Sequence, residues 1–159
     1  MGLDMYLAGK KYIWFDEPEI KEGLKNLLKT DLMPNEVSFN IITWRKANAI
    51  HKWFVDNCQD GNDDCKEYYV DREQLEQLLE ILNKILGKTN NKKENIMAAL
   101  NKNEMAEELL PSTEGHFFGG EDYDEYYFEY LKETQRILND IFENPTKYEG
   151  IEFYYTASW

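Results

Sequence analysis

Residues 65–87 read CKEYYVDREQLEQLLEILNKILG, and this run decides the fold class. Tyr68 to Val70 is aromatic and β-branched, the composition of a short extended piece. Asp71 then stands three residues before Gln74, the spacing of a capping box, in which side chain and backbone at a helix start satisfy each other. Leu75, Leu78, Leu79, Ile81, Leu82, Ile85 and Leu86 follow at helical spacing and give an apolar face wide enough for a central core helix. Gly87 supplies the stop. A short extended piece leading into a core helix puts strands and helices in one fold, and the flanks decide how they are arranged.

The flanks extend the same pattern. Toward the N-terminus, Thr43 reads as the cap of a helix through Asn57, with Ala47, Ile50 and Phe54 on one stripe beside Trp53. Val37, Phe39 and Ile41 alternate with Ser38 and Asn40 as a strand ending near Thr43. Asp16 caps and Pro18 opens a helix carrying Ile20, Leu24, Leu27 and Leu28. Leu3, Met5 and Leu7 alternate as an opening strand. Toward the C-terminus, residues 88–93 (KTNNKK) read as a linker-like loop, followed by a peripheral helix from about Glu94 to Leu110 that Pro111 stops. A short glycine-bounded strand, GHFFGG, comes next. Asp122 then caps a helix to Phe142, with Tyr127, Leu131, Leu138 and Ile141 on one side, and IEFYYTASW closes the chain as a strand. The expectation is one α+β domain over 1–159, several helices packed on a small antiparallel sheet that includes the N- and C-terminal strands.

Charge restricts the function classes. With 31 acidic against 18 basic residues, the formal net charge is −13. Direct nucleic-acid binding needs a basic face for phosphate, so it is not expected. An acidic chain instead suits the basic surface of another protein. The aromatic share, 14%, argues for a packed core and against disorder. No apolar run reaches membrane-spanning length, the first residues lack the apolar centre of a secretion signal, and Tyr6 stands where a myristoylation motif prefers Ser or Thr. The expected location is the cytoplasm, where Cys58 and Cys65 remain free thiols.

Four segments coincide with a known pattern: MGLDMYL at 1–7, WRKANAIHKWFVDN at 44–57, CKEYYVDREQLEQLLE at 65–80 and LLPSTEGHFFGGEDYDEYY at 109–127, together with the terminal FYYTASW. On these the chain resembles, over nearly its whole length, a family of small proteins carried by phages, prophages and bacteria. The resemblance implies a phage-type setting, acting in the host cytoplasm, and no reaction. Two features depart from the family pattern. Residues 17–35 look inserted, and His116 stands where the family's turn carries another aromatic residue.

No complete catalytic or cofactor motif is present, so no cofactor is expected. His51, Cys58 and Cys65 are seven apart, but on one helix that spacing separates neighbours by about 10 Å, too far to share a tetrahedral ion. Asp60, Asn62, Asp64 and Asp71 echo part of a calcium loop. However, the sharp-turn glycine is replaced by Cys65 and the bidentate glutamate by Asp71, which the next helix wants as its cap. A solvated acidic turn explains the same residues. His116 beside Asp122 and Tyr123 has the makings of an acid–base group, but it lacks a nucleophile.

Two surfaces remain. Trp44, Arg45, Lys46, His51 and Trp53 gather cations and aromatic rings within ten residues, the materials of a nucleotide-like pocket in which a ring stacks and a guanidinium holds an anion. With His116 added, that is the small-ligand alternative, binding or sequestering, with a homo-oligomer interface as one setting. Packing accounts for the same rings. The other surface is Asp122, Tyr123, Asp124, Glu125, Tyr126, Glu129, Tyr130 and Glu133. Carboxylates at helical spacing present negative charge to a basic groove, and tyrosines suit interface cores. The plainer reading is tyrosines packed inward and acids solvated outward. The function expected from the whole is a phage-type acidic interaction protein that binds and modulates a host protein, for instance by inhibiting a nucleic-acid-handling defence component.

Overall fold

A computed structural model describes residues 2–14, 18–30, 32–88, 92–113 and 123–159. The elements run β1 (Asp4–Tyr12), α1 (Pro18–Leu28), β2 (Glu36–Arg45), α2 (Asn48–Cys58), β3 (Tyr68–Val70), α3 (Arg72–Leu86), α4 (Lys92–Leu109), α5 (Glu125–Glu143), a 3₁₀ turn (Pro145–Tyr148) and β4 (Glu152–Ser158). The strands form one antiparallel sheet in the order β2-β1-β4-β3, so the first and last strands lie side by side at its centre.

Alternation along the strands sends one set of side chains into the core. Met5, Leu7, Ile42, Trp44, Phe153, Tyr155, Ala157 and Val70 are buried together with residues of α2, α3 and α5. The other face carries Tyr6, Lys10, Thr43, Arg45, Tyr154 and Thr156, all exposed or half-buried. Between Leu7 and Ala8 the β1–β2 register shifts by one residue, which leaves Ile41 as the extra residue of β2. A Cβ at Gly9 would lie 2.7 Å from an Ile151 methyl and 3.0 Å from the Ile41 terminal methyl, so a side chain at this strand position requires Ile151 to shift.

The helix start in 65–87 forms as read. Asp71 accepts from the backbone of Glu73, Gln74 accepts from the backbone of Asp71, and Gly87 ends α3 with a positive φ of 84°. Leu75, Leu78, Leu79, Leu82 and Ile85 of this helix are buried.

Four expectations change. Thr43 does not cap α2: it stays in β2 opposite Tyr6, its hydroxyl bonded to Asn40, and the chain turns at Lys46 with φ 58° before α2 starts at Asn48 without a side-chain cap. The strand continues because Trp44 is worth burying in the core. The helix expected from Asp122 starts instead at Glu125, capped by Asp124, whose carboxylate accepts from the backbone of Tyr127. α4 is less peripheral than its weak amphipathicity suggested, since it packs along α3 and buries Ala106, with Leu110 just beyond its end. It also starts at Lys92, inside the linker-like 88–93 stretch. Finally, α1 forms where expected, yet its apolar stripe is largely exposed: Ile20 44%, Leu27 75% and Leu28 55%. Asp16, Asp122, His116 and the GHFFGG segment lie outside the described residues.

Candidate functional site

α5 divides the acidic-tyrosine run by helical period. Tyr127, one turn after Tyr123, is buried and donates to the Leu110 carbonyl at 2.5 Å. Tyr123 packs edge-on to Tyr127, and its hydroxyl accepts from the backbone of Ser112 at 3.1 Å. Tyr130 is half-buried, and burial holds its phenol well above the usual tyrosine range. Tyr123 and Tyr127 fasten the start of α5 to the chain just past α4, while Tyr130 packs on Tyr127 and bonds the backbone of Ala49 in α2. Tyr126 points the other way and is 78% exposed.

The acids divide similarly. Asp124 is engaged as the cap, and Glu133 forms a two-point ion pair with Arg136 at 2.7 and 2.9 Å, which pulls its carboxyl below the usual range. Glu125 and Glu129 are exposed and form no ion pair with a described residue. What the fold presents is therefore the first two turns of α5, a tyrosine between two open carboxylates. Acids at a helix N-terminus are also favoured by the helix dipole, so their position has a structural contribution. Further along, Lys132, Arg136 and Lys147 border a groove of about 600 Å³. Arg136 and Lys147 are already paired there, with Glu133 and Asp140.

Among the described residues, those of the ligand pocket are not brought together. Trp44 is buried, and its indole N–H donates to Thr134 at 2.7 Å, while Thr134 in turn donates to the Tyr130 carbonyl at 2.6 Å. Arg45, the next residue on the strand, leaves by the opposite face, near Asp4 at 3.7 Å. Lys46 sits on the turn, and Trp53 is in the core.

His51 instead joins a cluster that long-range contacts assemble. Its Nδ1 lies 2.7 Å from the Tyr155 hydroxyl and its Nε2 3.0 Å from Asp63, with the Trp159 ring 5.7 Å away. Burial raises the Tyr155 phenol far above its usual range, so that group stays protonated and donates to Nδ1. His51 then carries its proton on Nε2 and donates to Asp63. Burial lowers the His51 pKa, with Asp63 opposing. Unfolding therefore takes up a proton at mildly acidic pH: the contribution of neutral His51 is complete above the unfolded value of about 6.5 and is lost as pH falls through the lower folded value. The melting-temperature advantage of the wild type over His51→Gln is expected to shrink between pH 7.5 and pH 5. A constant difference across that series contradicts the assignment.

Burial pushes the Cys58 thiol up to about 12, so it is a poor nucleophile, and Cys65 is exposed on the acidic turn. Asp64 binds Lys66, and Asn62 donates to the Gln59 carbonyl. Among the described residues, no three His, Cys, Asp or Glu side chains converge as metal ligands, and no helix is long and apolar enough to cross a membrane.

No family model, curated protein or solved structure matches this chain. The site reading rests on its own geometry.

That geometry shows what the residue pattern left out. Exposed large apolar side chains crowd the excursion between β1 and the middle of β2: Trp14, Ile20, Leu27, Leu28, Leu32, Met33 and Phe39. Helical spacing at Ile20, Leu24, Leu27 and Leu28 announced the stripe, but spacing alone does not say whether the fold covers it.

Proposed function

We propose that the chain is a non-enzymatic binding protein that sets the start of α5 against a basic surface of a host protein and modulates it by occupancy. The observation that carries this reading is Tyr126, 78% exposed between the open carboxylates Glu125 and Glu129. An aromatic anchor inside a charged rim is the composition of an interface hot spot. The net charge of −13 adds long-range attraction toward a basic partner. Carboxylates at helical spacing substitute for a phosphate backbone, so a nucleic-acid-handling host component, in the phage-type setting that the sequence resemblance implies, is the partner class with matching chemistry.

The immobilised 159-residue chain is expected to capture a basic protein from bacterial lysate at about 50 mM salt and to release it at about 500 mM, where screening shortens the reach of surface charge to a few ångströms. Capture that is indifferent to salt contradicts the acidic-face mechanism.

A further inference from the structure

We propose that β2 is a self-association edge, through which two copies of this chain pair antiparallel into one continuous eight-stranded sheet. Of the two outer strands, β3 has three residues and β2 has ten. Long edge strands are ordinarily protected by lysine, proline or a covering element, because their free N–H and C=O groups invite another strand. Between Glu36 and Arg45, β2 reads VSFNIITW, without a charge or a proline. Among the described residues, no further strand pairs with its outer side.

The sequence of β2 is complementary to itself when reversed. With a two-fold axis between Asn40 and Ile41, Glu36 of one copy faces Arg45 of the other at both ends of the ladder, supplying opposite charges. The same register sets Ser38 against Thr43, Phe39 against Ile42 and Val37 against Trp44. The extra residue at Ile41 makes these pairs agree in side. Ahead of the bulge Val37 and Phe39 share the face of Lys11 and Gly9, and after it Ile42 and Trp44 share the face of Leu7 and Met5. All four of these β1 positions lie on one side of their strand. Only the central pair at the axis breaks the agreement. Phe39, 42% exposed within the strand, acquires cover in such a pair. Closed two-fold dimers of this kind use one patch twice, as a self-complementary strand requires. The inference uses a different element from the α5 surface and does not depend on it.

The test is sedimentation of the full chain over a dilution series, with a thiol reductant present so that exposed Cys65 cannot cross-link copies. The expected result is a reversible dimer, with amide exchange in 36–45 slowing as concentration rises. Phe39→Lys is expected to raise the dimer dissociation constant about a hundredfold, close to 3 kcal/mol, with an unchanged thermal melt of the monomer. Glu36→Arg or Arg45→Glu alone weakens pairing, and the two together restore it. A monomer at every concentration overturns the proposal. So does a dimer that ignores Phe39→Lys and leaves the exchange of 36–45 unchanged.

Discussion

Phe54→Ala is expected to lower the unfolding free energy by about 3–5 kcal/mol, the range for emptying a large aromatic site in a packed core. Phe54 is fully buried and stacks on Tyr155 with ring centroids 4.0 Å apart and planes 7° from parallel. It also meets Trp53 edge-on at 5.2 Å and Trp44 at 5.8 Å, so one side chain joins α2 to both β2 and β4. Its removal takes away transfer energy and ring contacts together and leaves a cavity that rigid neighbours cannot close. Against a total stability of about 5–15 kcal/mol, this brings the chain near the threshold of folding. The check is the midpoint of chemical denaturation, with Leu27→Ala, at a 75% exposed position, as the control expected to change little. A loss below about 1 kcal/mol would place Phe54 outside the cooperative core.

Tyr127→Ala and Tyr126→Ala, neighbours on one helix, are expected to separate stability from binding. Tyr127 is 2% exposed, packs against Tyr123, Phe128 and Tyr130, and donates to the Leu110 carbonyl. Alanine there costs about 3–5 kcal/mol by the cavity argument. Tyr127→Phe keeps the ring and costs about 1–3 kcal/mol, because a buried carbonyl is left without its donor. Tyr126→Ala touches no core contact and is expected to shift stability by less than about 0.5 kcal/mol. It should nevertheless weaken partner binding about thirtyfold, the effect of losing a hot-spot anchor of about 2 kcal/mol. Thermal melts and a binding titration on the same preparations distinguish the two. If Tyr126→Ala binds as tightly as wild type, the anchor is elsewhere.

How much of this was legible in the sequence depended on whether a signal was local. The capping box at Asp71 and Gln74 and the stop at Gly87 are short-range hydrogen-bond and backbone effects, and α3 forms where they indicate. The alternation of the first and last strands placed them in one sheet, where they are adjacent. Thr43 reads as a cap from sequence because a good N-cap residue is also a good β-residue. The choice is made by Trp44, whose partner Thr134 lies ninety residues away. His51 met the same limit: it looked like part of a cationic pocket, and only the arrival of Tyr155 and Asp63 from other parts of the chain shows it as a satisfied donor and acceptor. In the acidic-tyrosine run, composition pointed to a surface, while the helical period decides that Tyr126 faces out and Tyr127 in. The exposed stripe of α1 was visible as a pattern but not as a surface, because amphipathicity alone does not reveal what covers it.

The claim that α5 binds through its open carboxylates is tested most directly by repeating the lysate capture with Glu125→Lys combined with Glu129→Lys, beside the wild type at low salt. Both positions are exposed, so the double variant is expected to stay folded and to lose only about 1 kcal/mol, the helix-dipole contribution. The account predicts that it captures none of the basic protein that the wild type retains. Undiminished capture by a folded double variant would contradict it.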